Sequence, residues 1–222
     1  MDNRRIPPWM IAVVTVGIAF GMAGCDKPPR ASRDLLVIPS APRTTPGYDR
    51  SCAAGHQCVF GPAWTDATTG TPWSRDGCDT RNQALKRDLH NVQIKPGTRG
   101  CVVLSGDLTD PYSGHQVRYQ RGASSPVALD HIYPLAAAWS RGASKWSIEV
   151  RKRFANDPAN LLTTTAPANR AKSDKMPNRW MPPTAAGRCL YAKRLIKVAV
   201  TYQLPVTSAE NKALNLGLGD CS

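Results

Sequence analysis

The 222-residue chain carries 29 lysines and arginines against 16 aspartates and glutamates, a formal net charge of +13, with 41% hydrophobic residues. No internal repeat is visible, which excludes solenoids and propellers, and the apolar content is enough for one domain with its own core. The positive balance suits a polyanionic substrate, although anionic lipid headgroups or plain solubility would also account for it.

In chain order, Arg4 and Arg5 precede a mostly apolar run, Ile6 to Met22, that is too short and proline-marked to span a bilayer comfortably. It ends in Met22-Ala23-Gly24-Cys25, which resembles a bacterial lipobox cut before the cysteine. Residues 1–24 are therefore read as a lipoprotein signal peptide and Cys25 as the acylated residue. An uncleaved anchor and ordinary secretion are the alternatives, and all three place the domain outside the cytoplasm. Residues 1–24 hold two arginines and one aspartate, so their removal leaves +12. Residues 25–48, rich in Pro, Arg, Ser and Thr apart from Leu35-Leu36-Val37-Ile38, read as a flexible tether, which leaves 49–222 as the domain.

With Cys25 set aside, Cys52, Cys58, Cys78, Cys101, Cys189 and Cys221 form an even set in an exported chain, the pattern of disulfides. Sequence neighbourhood pairs them as Cys52–Cys58, Cys78–Cys101 and Cys189–Cys221. A zinc site is disfavoured, because no C-x-x-C pair or Cys/His cluster with ligand spacing occurs.

The domain's periodicities give an α+β, helix-rich reading. A helix is expected over Arg81–Asn91, with Leu85 and Leu89 on one face and Asp79 or Thr80 as its cap. Cys101–Ser105 and His115–Tyr119 read as a hairpin around the turn chemistry of residues 107–114, beside an apolar strand Val127–Leu129. Pro134–Trp139 opens as a helix with proline in its first turn, and Ser144–Phe154 carries a stripe of Trp146, Val150 and Phe154. Leu161–Thr164 is strand-like, and Asn169–Lys175 is helical, stopping near Pro177. Tyr191, Leu195, Val198 and Tyr202 mark another helix, and Thr207-x-x-Glu210 is a capping box that opens a last one.

Chemistry concentrates between residues 130 and 172. Asp130-His131 stands at a strand end that opens into a helix, and Asn160 and Asn169-x-x-Lys172 follow within about forty residues. A carboxylate, an imidazole and amide oxygens are the parts of a metal-assisted phosphodiesterase. The imidazole takes a proton from water, and a hard divalent ion stabilises charge on the phosphate.

Asp130-His131-Ile132-x-Pro134-Leu135, Ala138-Trp139, Gly142-Ala143, Trp146, Phe154-Ala155-Asn156-Asp157-Pro158-x-Asn160-Leu161 and Asn169-x-x-Lys172-x-Asp174 together resemble secreted HNH-type nucleases. The nearer resemblance is to the branch related to the C-terminal domain of GmrSD-type restriction enzymes, in the ββα-metal superfamily. It is densest over about residues 127–183 and extends thinly from Trp73 to Cys221. The resemblance implies a ββα-metal (HNH, or His-Me finger) core with added helices and a hairpin. It implies His131 as general base, Asp130 and Asn169 as metal ligands, and Asn160 as either loop holder or orienter of the His131 ring. Asn169 stands where many relatives place histidine, and its amide oxygen favours Mg²⁺ or Mn²⁺ over zinc. Lys172, one turn from Asn169, is either a contact to the scissile phosphate or a solvated lysine. Arg81 is likewise either a phosphate contact or a surface residue, and Asp174 a ligand, an ion-pair partner or surface.

The expected activity is an endonuclease of low sequence preference acting on DNA, with RNA as the alternative polymer, and leaving a 5′-phosphate by family resemblance. The basic residues are dispersed, as backbone tracking requires. The expected partners are the nucleic acid and, through the lipid anchor, a membrane; no protein partner is evident. The competing reading is a non-catalytic basic envelope lipoprotein that binds DNA or another anionic polymer. Acyl transfer has no motif to support it: S-x-x-K, G-x-S-x-G and H-E-x-x-H are all absent.

Overall fold

A computed structural model describes residues 34–122 and 124–221. The signal peptide expected over residues 1–24 and the lipidation expected at Cys25 lie outside these residues. Mixed α and β structure follows in the order β1 (Val37–Ile38), α1 (Thr80–Asp88), β2 (His90–Ile94), β3 (Val103–Thr109), β4 (Gln116–Gln120), β5 (Val127–His131) and α2 (Leu135–Ser140). After these come α3 (Ile148–Ala155), β6 (Leu161–Thr165), α4 (Ala166–Lys172), α5 (Ala185–Thr201), β7 (Val206–Thr207) and α6 (Ser208–Gly219).

The strands form three small sheets among the described residues: parallel β1–β7, antiparallel β2–β3–β4, and antiparallel β5–β6. In the last, Asp130 faces Leu162 and His131 faces Leu161, and α4 follows directly from the end of β6. Thr165 caps α4 by accepting from the Ala168 amide, and Pro167 sits in the first turn, where its missing N–H costs nothing. The sheet beside it is tied across by Asp110, whose carboxylate accepts from the hydroxyls of Thr164 and Thr165.

Two cores hold the elements in place. The larger packs Tyr112, Tyr133, Phe154, Tyr191, Leu195 and Leu214 between the helices. The smaller packs Leu85 of α1 and Leu89, the residue just past its end, against Val103, Leu108 and Tyr119 of the three-stranded sheet. Asn82, buried on α1, accepts from the Val103 amide and so ties the helix to β3. Inside the larger core, Arg141 makes a two-pronged pair with Glu210, each N–O distance 2.7 Å, with both side chains nearly inaccessible. Glu210 also completes the expected capping box with Thr207, so one carboxylate both starts α6 and anchors the end of α2.

All three cysteine pairings match the sequence expectation: Cys52–Cys58, Cys78–Cys101 and Cys189–Cys221. Four other expectations are corrected. The tether does not extend to residue 48, because β1 pairs with β7 and Leu35 is buried in the core. Further on, the Trp139 indole donates to the Pro46 carbonyl. The first helix stops at Asp88 rather than Asn91, because His90–Ile94 pairs with β3 as a third strand. As a result the expected hairpin pairs with β2, not with the strand that carries Asp130. The segment 144–154 is broken by a 3-10 turn at Ala143–Lys145, and α3 starts only after Ser147, whose hydroxyl accepts from the Val150 amide.

Candidate active site

A cleft of about 520 Å³ opens where the end of β5, the start of α2, α4 and the loop over residues 48–64 meet. Asp130, His131, Asn156 and Asn169 line it, and Tyr48, Phe60 and Trp64 supply an aromatic wall.

His131 is half-buried, and its Nε2 lies 2.8 Å from the Ala155 carbonyl oxygen. A carbonyl only accepts, so Nε2 carries the proton and Nδ1 keeps its lone pair. Trp64 lies nearly parallel to the ring, 9° between planes and 5.8 Å between centroids. Burial pulls the imidazole down from 6.5 to about 4, helped by the charges of Lys172 and Arg50 and opposed by the Ala155 hydrogen bond. The ring is therefore neutral at neutral pH, the form a general base needs. Its folded value is depressed, so the stability linked to the neutral ring is complete above pH 6.5 and is lost as pH falls toward about 4. In metal-free protein, a proton-NMR titration of His131 should show a midpoint near 4, with unfolding free energy declining over the same interval. A midpoint near 6.5 would mean that the ring is solvated.

Asp130 is 3% exposed, and both its oxygens are engaged. Oδ1 accepts from Lys172 Nζ at 2.8 Å, and Oδ2 accepts from the Tyr112 hydroxyl at 2.6 Å. Burial raises this carboxyl above the usual range, while the Lys172 ammonium and the two hydrogen bonds oppose the rise. Lys172 is fully buried and also donates to the His131 carbonyl at 2.7 Å. This corrects the reading of Lys172 as a phosphate contact: its amine points inward and neutralises Asp130. Arg81 sits on α1, outside the residues lining the cleft.

Asn160 is inaccessible to solvent. Its Oδ1 accepts from the Tyr133 amide at 2.8 Å, and its backbone oxygen accepts from the Ile132 amide. It therefore holds the turn that follows His131, and the ring itself is oriented by Ala155 and Trp64. Asn169 lies on α4 at the cleft, and its side chain forms no hydrogen bond with the described residues. Asp174 is exposed at the same rim.

The donors present fit a hard cation better than a soft one. No cluster of His, Cys, Asp or Glu with metal-ligand spacing occurs among the described residues. What the cleft does offer is the free Asn169 amide, Asn156, whose buried Oδ1 has no hydrogen-bond partner, and the Asp130 carboxylate, each oxygen of which already accepts one hydrogen bond and keeps a further lone pair. Such a set suits an ion like Mg²⁺ that keeps waters and needs only one or two carboxylates. Tyr112, Trp64 and Arg50 escaped sequence reasoning, because nothing in their local spacing ties them to the histidine, and Asn156 stood in the resembling motif without a role.

Residues 79–215 match the family described as GmrSD restriction endonucleases, C-terminal domain. The chain belongs to that family. A protein of Arthroderma benhamiae named "Uncharacterized secreted protein" is similar to it, 40% identical over 146 residues, covering 65% of this chain and 68% of the relative. No solved structure matches the chain. Within the GmrSD C-terminal family match lie Asp130, His131, Asn160, Asn169 and Lys172, whereas the aromatic wall over residues 48–64 falls outside it.

Proposed function

We propose that the protein is a metal-dependent endonuclease that hydrolyses phosphodiester bonds of DNA, or alternatively RNA, with low sequence specificity. The observation that carries this reading is the neutral His131 ring, held through Nε2 with Nδ1 unprotonated, in a cleft shared with Asp130 and Asn169. The pair β5–β6 followed by α4 is read as the ββα core of an HNH nuclease, and the family's name, from restriction endonucleases, supports it.

His131 Nδ1 accepts a proton from water, and the resulting hydroxide attacks phosphorus in line. Asp130, Asn169 and Asn156 would hold Mg²⁺ or Mn²⁺, which when bound supplies positive charge against the phosphate and the leaving oxygen. Lys172 and Tyr112 fix the Asp130 carboxylate, and Asn160 fixes the backbone that follows the base. The three disulfides and the secreted relative support a place outside the cytoplasm, with lipid anchoring at Cys25 as part of the same proposal.

The test is a gel assay of the oxidised protein on plasmid DNA with Mg²⁺, with Mn²⁺ and with EDTA. Nicking with either metal, absent in EDTA, is the expected result. A well-folded, disulfide-intact protein that cleaves with neither metal overturns the proposal in favour of a basic polymer-binding protein.

A further inference from the structure

Beyond this reading, and resting on it, one group of side chains has no role assigned so far. The loop over residues 48–64 forms a wall of the cleft outside the matched family region, and it is built rigidly. The Cys52–Cys58 bridge closes it. Within it, the Asp49 carboxylate accepts from the amides of Ser51 and Gln57, and the Val59 amide donates to the Asp49 carbonyl. Phe60 packs against Phe154 and Trp139, and Gly61 lies so close to Lys152 that a Cβ there would come within 2.4 Å of its side chain.

This wall carries Arg50, an exposed guanidinium that lines the cleft beside Tyr48. Arg170, also exposed, reaches the same cleft from α4, next to Asn169. Neither arginine forms an ion pair with a carboxylate among the described residues, whereas Arg118, Arg141 and Arg188 each do. The carboxylates at the cleft do not balance them: Lys172 already neutralises Asp130, which leaves Asp174. The field of Arg50 is also felt at the His131 ring. The cleft therefore has a surplus of forked cations beside the base, Arg50 hydrogen-bonded to Tyr48 but neither arginine paired with a carboxylate, an arrangement that recognises a phosphate oxygen pair.

We propose that Arg50 and Arg170 are a phosphate clamp, gripping the backbone of the nucleic acid from two walls of the cleft so that a phosphodiester is held beside His131. The disulfide loop is then part of the substrate site, and it supplies the phosphate contact at the cleft that the buried Lys172 does not.

The experiment compares wild type with Arg50→Met, Arg170→Met, Arg50→Lys and, as a control, Lys95→Met, an exposed cation away from the cleft. Binding of a short fluorescein-labelled oligothymidylate is followed by anisotropy in EDTA at several salt concentrations, and cleavage is followed separately with metal. Each arginine-to-methionine change should weaken binding about tenfold and lower the slope of log K against log salt by about 0.7, the value for one phosphate contact on a single strand. Arg50→Lys should restore the slope but only part of kcat/KM, because an ammonium replaces the charge and not the fork. Variants that bind and cleave like Lys95→Met overturn the clamp while leaving the nuclease reading intact. A wild-type protein that neither binds nor cleaves overturns both.

Discussion

Replacing His131 with alanine should lower metal-dependent cleavage by about 10²- to 10⁴-fold, the range expected when a positioned general base is removed. Affinity for oligonucleotide in EDTA should stay close to wild type, because the ring contributes a lone pair and not a charge at neutral pH. The ring's fixed contacts are Nε2 to the Ala155 carbonyl and the face against Trp64, neither of which anchors the core. The variant should therefore fold, which circular dichroism and melting would verify. Added imidazole should return part of the lost rate by diffusing into the vacated space. If His131→Ala cleaves as well as wild type, the base lies elsewhere and the assignment of Nδ1 is wrong.

The second large effect is on stability. Lys172→Met should destabilise the fold by about 3–5 kcal/mol, the cost of leaving one partner of a buried ion pair uncompensated. For a domain of this size that corresponds to a fall in melting temperature on the order of 10 °C. Asp130 would keep its hydrogen bond from Tyr112 but lose its counter-charge inside a nearly water-free setting. Its carboxyl is already raised by burial, so its ionised form costs stability as pH climbs through the raised value. The penalty of Lys172→Met should accordingly be greatest at neutral pH and shrink on acidification, as Asp130 takes up a proton. Adding Asp130→Asn to Lys172→Met should recover much of the loss, because a neutral amide needs no counter-ion. Melting within about 1 kcal/mol of wild type would show that the pair is solvated.

How much of this could be read from residues alone depended on range along the chain. Periodicity and proline placement are local signals. The strand ending in Asp130-His131 and the threonine-rich strand after Asn160 were therefore legible, and so was the helix that follows, although it runs Ala166–Lys172 with Pro167 in its first turn instead of Asn169–Lys175. The capping box at Thr207 and Glu210 was legible for the same reason, but the burial of Glu210 against Arg141 was not, since its partner lies 69 residues away. Lys172 was misread on the same ground. One turn from Asn169, its spacing says only that the two share a helix side. Its commitment to Asp130, 42 residues earlier, is a product of the β5–β6–α4 packing. β2 was hidden because His90-Asn91-Val92-Gln93-Ile94 follows a helix with one residue between them, and its pairing with β3 outweighs weak local preference. For the site, the base and its adjacent carboxylate were visible, while Trp64, Tyr112 and the disulfide wall were invisible until folding brought them together.

The parallel pairing of β1 with β7 has a consequence for the order of events during synthesis. Val37 meets Val206 and Ile38 meets Thr207, so among the described residues the first strand waits for the last. At about 5–20 residues per second, that interval is on the order of 10–30 s. Throughout it Leu35 lacks its burial site, and the edge of Leu36 and Val37 has no partner. The β1–β7 pairing is thus completed only after residues 206–207 have been added. A chain truncated shortly before residue 206 would contain the whole cleft region and still lack the strand that fastens its N-terminal side.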